Sequence, residues 1–201
     1  MNAKSSRARR RVAWGITGCG DKLRETYDVM KGVNDAHIDR LEIEVFLSRA
    51  GEQVARYYKL LGGLKKSFGR VWVERDANTP FLAGRLQLGE FEFMLIAPAT
   101  SNTVAKLAYG IADTMLTNGA IQALKASVPV YIMPSDFQEG KTITELPDGG
   151  GLKLRVRKED AENVRKIATM EGIYAFEEPG EIREIFRKLF GSYKDNEIRG
   201  Y

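Results

Sequence analysis

The sequence is poor in the side chains that most often advertise chemistry. Its 201 residues include one cysteine, Cys19, and one histidine, His37. A single thiol cannot close an internal disulfide, build a cysteine-rich zinc site or hold a four-cysteine iron–sulfur cluster. No metal site is therefore expected, and any redox chemistry must come from a bound organic cofactor or from that one thiol. His37 sits in the polar stretch "VNDAHIDR" and reads as a solvated surface residue. Long apolar runs are missing too. None approaches the length of a bilayer span, and no apolar segment of signal-peptide type follows the basic amino terminus. A cytoplasmic protein with no membrane partner is the expectation. Acidic side chains are absent from the first eleven residues, which carry Lys4, Arg7, Arg9, Arg10 and Arg11. Taking those five from 31 basic residues leaves 26 against 27 acidic ones, so the overall charge of +4 falls to −1. The body thus lacks the electrostatic footprint of a nucleic-acid binder, and residues 1–10 read as a disordered basic tail.

What is present is an ordinary globular composition, 43% hydrophobic, enough for one domain with a small appendage. Apolar strands alternate with amphipathic helices. "RVAWGIT" (11–17) reads as a buried strand, 20–33 as a helix, "LEIEVFLS" (41–48) as a strand and 51–61 as a helix. "RVWVE" (70–74), "FEFMLIAPA" (91–99) and "VPVYIM" (128–133) are further strands, with helices over 101–109 and 111–126 between the last two. Each parallel return needs a right-handed helical crossover. The pattern therefore predicts an α/β fold, a three-layer Rossmann-like parallel sheet of flavodoxin-like order with helices on both faces. Residues 11–150 form its main domain. Ligands of such sheets bind beyond the carboxyl ends of the strands, which directs attention to the loops after residues 17, 48, 97 and 133. The polar stretch "SDFQEGKTITELPDGGG" reads as a mobile loop over that region. Residues 151–201 read as a C-terminal strand–helix appendage.

The first of those loops, "TGCGDK", begins at Thr17. Its order, Gly15-x-x-Gly18-x-Gly20, is not the G-x-G-x-x-G of a dinucleotide site, and Asp21 stands where a Walker loop needs further spacing and a Lys-Ser/Thr pair. The second strand ends in Ser48-Arg49 and not in a ribose-binding acid, which leaves only a weak NADP option at Arg49. What survives is either a generic phosphate cradle at a helix start or a tight strand-to-helix turn. Ser48 favours the cradle, since a hydroxyl at the end of the neighbouring strand reaches the same crevice. Cys19 reads as a small loop residue whose thiol a helix start would acidify.

The stretch "APATSNTVAKLAYGIADTMLTNGAIQA" (97–123) carries a resemblance. Pro98-Ala99-Thr100-Ser101-Asn102-Thr103, followed by Gly110-Ile111-Ala112-Asp113, is similar to the flavin-binding signature of the flavoprotein family, which includes flavin-containing cysteine decarboxylases and flavin prenyltransferases. "AWGITG", "FLSRAGEQVARYY" and "DGGGLKLRVRKEDAENVRKI" resemble its archaeal branch, with archaeoflavoprotein and the dihydromethanopterin reductases. The resemblance implies FMN, with its phosphate at Thr17, Gly18, Cys19 and Ser48, its flavin against Thr100, Ser101, Asn102 and Thr103, and a further contact at Ser135. It implies an FMN-dependent oxidoreductase that takes electrons from ferredoxin or NAD(P)H and passes them to a small acceptor such as dihydromethanopterin or a related pterin. It also implies a homo-oligomer, a trimer or dodecamer. A non-enzymatic electron carrier is the alternative. A decarboxylase is less favoured, because the early catalytic histidine of that branch has no counterpart and the late motif reads Met133-Pro134-Ser135-Asp136.

Overall fold

The computed structural model of the chain describes residues 9–190. Its first half contains β1 (Arg10–Ile16), α1 (Leu23–Ala36), β2 (Leu41–Leu47), α2 (Arg49–Tyr57), α3 (Leu61–Ser67), β3 (Arg70–Val73) and α4 (Leu82–Gln87). The second half contains β4 (Met94–Ala99), α5 (Ser101–Ala108), α6 (Met115–Lys125), β5 (Val130–Pro134), β6 (Gly140–Glu145), β7 (Gly151–Val156), α7 (Lys158–Ala168), β8 (Ile173–Ala175) and α8 (Glu181–Phe190). Six strands form one parallel sheet in the order β3-β2-β1-β4-β5-β8.

That sheet is the three-layer α/β architecture read from the alternation. In its strand order the third strand lies outside the second, as in the Rossmann arrangement, whereas a flavodoxin order would place it beside the first on the other side. The winding reverses between β1 and β4, whose residues Trp14 and Leu95 are in register. Both strands are buried on both faces, which is why they read as continuous apolar runs. Val12, Trp14 and Ile16 belong to the core layer that also holds Met30 of α1, Leu64 of α3 and Phe186 of α8. Ala13 belongs to the opposite layer, with Leu107 of α5, Leu116 of α6 and Val164 of α7. The Trp14 indole N–H is satisfied by the Ala97 carbonyl at 2.8 Å, and its ring meets Phe68 edge-on at 5.2 Å. Gly15 lets α6 come close, since a Cβ there would stand 2.8 Å from a Leu116 methyl.

One charge is buried in the amino-terminal half of the sheet. Glu44 of β2 has no exposure and accepts both guanidinium arms of Arg85, at 2.7 and 2.9 Å, and the Trp72 indole at 2.9 Å. Burial pushes its carboxyl up, but those donors and the nearby Arg70 charge outweigh it and hold the group below the ordinary glutamate value.

Three expectations change. The stretch expected as a loop after Pro134 contains β6, paired antiparallel with β7 from Gly140↔Val156 to Glu145↔Gly151. A division at residue 150 therefore cuts a hairpin at its turn. β8, expected in an appendage, hydrogen-bonds along β5 as the sixth strand of the main sheet. Residues 1–8 of the basic tail lie outside the described residues, but Arg10 is already in β1, where it pairs with Glu92 at 2.6 Å. Among the described residues no helix is long and apolar enough to cross a membrane.

Candidate functional site

The carboxyl ends of β1, β2, β4 and β5 meet over the point where the sheet reverses. Thr17 ties the two central ones. Its backbone N–H and its hydroxyl both donate to the Pro98 carbonyl, at 3.3 and 2.8 Å, while its Oγ1 accepts the Thr100 N–H at 2.9 Å. The loop after β1 thereby sets where α5 begins. Thr100 caps that helix, accepting from the Thr103 N–H at 3.3 Å, and the two hydroxyls lie 3.1 Å apart. The β2 end follows the same logic. Ser48 donates its N–H to the Ile16 carbonyl at 3.0 Å and caps α2 by accepting the Gly51 N–H at 2.9 Å. Gly18 then touches the first turn of α2 so closely that a Cβ would lie 2.6 Å from that of Ala50. Ser135 closes the row, its N–H donating to Ala99 at 2.9 Å.

Of the nine residues marked in the sequence, Gly18, Cys19, Thr100, Ser101 and Ser135 line one hollow, while Thr17 and Ser48 stand at the adjoining strand ends and Asn102 and Thr103 in the first turn of α5. The hydroxyls of Thr17 and Thr103 are spent on internal bonds, and both side chains are buried. Ser48 uses its oxygen as a cap and keeps its hydroxyl proton to donate. Ser101 is partly exposed and Asn102 exposed at the start of α5. The backbone supplies more than the side chains. The N–H groups of Gly18 and Cys19 have no hydrogen-bond partner among the described residues, and those of Ala50, Ser101 and Asn102 are first-turn groups with no intrahelical acceptor. These donors, with the positive ends of α2 and α5, suit an anion and a polar heterocycle edge.

A hollow of about 250 Å³ runs between Gly18–Asp21, Thr100, Ser101, Ser135 and Asp136, roofed by Thr142, Thr144 and Leu154 of the hairpin. Two further hollows, about 280 and 320 Å³, adjoin it, and Asp21 lines all three. Lys22, at the left-handed φ of 53°, anchors this loop from the other side, its Nζ donating to the Glu177 carbonyl at 3.2 Å and to Glu178 at 2.8 Å.

The thiol behaves differently from the expectation. Cys19 is buried, and burial pushes it up to about 11, outweighing the Asp21 backbone and Ser135 hydroxyl that favour the thiolate. Helix α1 starts only at Leu23, behind a Lys22 N-cap, too far along to acidify the sulfur. His37 caps the carboxyl end of α1, next to Arg40 and at the opposite end of the sheet.

Two participants carried no signal in the sequence. Glu74, just after β3, accepts the Arg49 N–H of α2 at 3.1 Å and the Met115 N–H of α6 at 2.7 Å, so one carboxylate pins the starts of two helices. Its partners are 25 and 41 residues away, beyond any local pattern. Asp21 is the other. It was visible only as a mismatch to a Walker loop.

A flavoprotein family profile matches residues 1–180, most of the chain. The chain belongs to the flavoprotein family. Among its relatives, the protein MJ0730 of Methanocaldococcus jannaschii is 46% identical over 89% of this chain and 95% of its own length. A dihydromethanopterin reductase (acceptor) of the same organism is 32% identical, over 88% of this chain and 95% of its own. Among solved structures, DmrB of Burkholderia xenovorans in complex with FMN, described as a cubic protein cage for redox transfer, superposes with a TM-score of 0.77. It is 30% identical, and the match covers 93% of this flavoprotein and 97% of DmrB.

Proposed function

We propose that this flavoprotein is an FMN-dependent oxidoreductase of the cytoplasm. In this reading it takes electrons from ferredoxin or NAD(P)H and delivers them to a small acceptor, dihydromethanopterin or a related pterin. The observation that carries the reading is the single crevice at the sheet reversal, into which four strand ends bring unpaired backbone donors and two helix starts. The donor set fits the cofactor. A phosphate ester needs several N–H groups and a hydroxyl, which the Gly18 and Cys19 backbone, the Ser48 hydroxyl and the Ala50 amide offer. The ring edge of a flavin needs donors and acceptors side by side, as at Ser101, Asn102 and Ser135.

Bound FMN would supply the hydride chemistry, which is its own. The chain binds, orients and shields. Thr17 and Thr100 fix α5 relative to the β1 loop, so that the two halves of the cradle keep their spacing. Glu74 holds α2 against α6. The β6–β7 hairpin lays Thr142, Thr144 and Leu154 over the hollow, where they would limit the access of water to a bound ring. The name of the 32% identical relative supports a pterin as acceptor.

The test is anaerobic. Protein purified with its cofactor should release FMN on denaturation. The same preparation, chemically reduced, should be reoxidised by a dihydropterin within a panel of acceptors that includes oxidised ferredoxin. Reoxidation by ferredoxin alone would identify an electron carrier and overturn the enzymatic reading.

A further inference from the structure

Reduction of a C=N bond needs a proton as well as a hydride, and the proposed acceptor has such a bond to reduce. The chain's one histidine lies at the far end of the sheet, beyond reach of the crevice. The titratable side chains that line the 250 Å³ hollow are Cys19, Asp21 and Asp136. The thiol holds its proton tightly, because burial pushes it up to about 11, which makes it a weak acid near neutral pH. Asp136 lines this hollow but neither of its neighbours, and the adjacent Ser135 hydroxyl donates to it at 3.4 Å. Asp21 is placed otherwise. It borders all three adjoining hollows, so an acceptor in any of them lies against it.

We infer that Asp21 is the acid that protonates the acceptor nitrogen during reduction, an assignment that rests on the proposed oxidoreductase activity. Bound reduced FMN would supply the hydride that forms the C–H bond at the carbon of the C=N. The π electron pair moves to nitrogen, and an N–H bond forms there as the Asp21 O–H breaks. The acceptor is reduced by the two electrons that bound FMN would give up, and the Asp21 carboxylate takes its next proton from water.

The surroundings of Asp21 disfavour its charged form relative to a surface aspartate. It is half-buried between the β1 loop and the hairpin, and desolvation comes first among the causes that raise its carboxyl above the ordinary aspartate value. Asp136 from the β5 loop and Glu25 of α1 raise it further, while Lys22 and the Thr144 hydroxyl of the hairpin act the other way. Around the neighbouring hollows stand Arg24 of α1, Glu177 and Glu178 after β8, Glu139 just before β6 and Lys141 within it. A carboxyl shared among hollows and kept partly from water is suited to hold a proton at higher pH than a surface aspartate does.

The experiment compares Asp21→Asn with the unaltered protein in two ways. In the flavin-free chain, carboxyl NMR should show one aspartate titrating above the ordinary range, and that signal should vanish in Asp21→Asn. In the reduced, FMN-loaded proteins, single-turnover oxidation by a dihydropterin should slow on the order of 10²- to 10⁴-fold in Asp21→Asn. The fall in rate that the unaltered protein shows as pH rises through the Asp21 midpoint should disappear with it. Oxidation by ferricyanide, which takes electrons without protons, is the reference for intact flavin. Loss of both oxidations to the same degree, an unchanged pH profile, or a larger loss in Asp136→Asn than in Asp21→Asn would overturn the assignment. Failure of the unaltered protein to react with any C=N acceptor would overturn the proposed pterin-type acceptor and this assignment together.

Discussion

Cys19 shows how burial and charge compete at one residue. Its loop resembles a place for a reactive thiolate, yet burial lifts the thiol from 9.0 to about 11. The native state therefore holds the thiol proton more tightly than the unfolded chain does. The resulting stability is fully present below about pH 9 and is lost as pH rises toward about 11, a contribution of at most about 3 kcal/mol. Urea midpoints measured from pH 8 to 10.5 should fall more steeply for the unaltered protein than for Cys19→Ala. Parallel curves would show that the thiol titrates freely. Local sequence could mark Cys19 but not its environment, because Ser135 and Asp136, which act on the thiol, follow β5 more than a hundred residues away. Thr17 teaches the same lesson. The family resemblance implied a phosphate ligand there, while its hydroxyl serves the joint between β1 and α5.

At the scale of elements, the strands of the main sheet were legible because two-sided burial makes them continuously apolar. The hairpin was not, although its alternation Lys141-Thr142-Ile143-Thr144 and the turn Asp148-Gly149-Gly150 are both hairpin signals. Half-polar strands with exposed apolar residues, such as Ile143, Leu152 and Leu154, resemble a loop when no partner strand is known. The pairing also has consequences. β6 and β7 bond to each other and not to the main sheet, and an isolated two-stranded hairpin is marginal in water. Amide hydrogen exchange should therefore be faster in 140–156 than in β1 and β4 by orders of magnitude. Adding FMN should slow it, since the hairpin roofs the hollow. Exchange in the hairpin that matches β1 and ignores FMN would remove it from the site.

At the scale of the whole molecule, the parallel sheet places every chosen loop at one end, which is why a few loop residues sufficed to locate the crevice. The converging contacts were beyond the sequence. Glu74 joins α2 to α6 across 25 and 41 residues, and Asp21 acquires meaning only where three hollows meet. The surface keeps Phe81, Leu88, Tyr109 and Ile111 exposed. The central claim is that this crevice holds FMN through its phosphate as well as its ring. Titrating the flavin-free chain with FMN and, separately, with riboflavin tests it most directly. The account predicts saturation at one FMN per chain and riboflavin binding weaker by a factor of about 10 or more, corresponding to about 1.4 kcal/mol or more from charge-assisted phosphate contacts. Equal affinities for the two, or no binding of FMN, would contradict it.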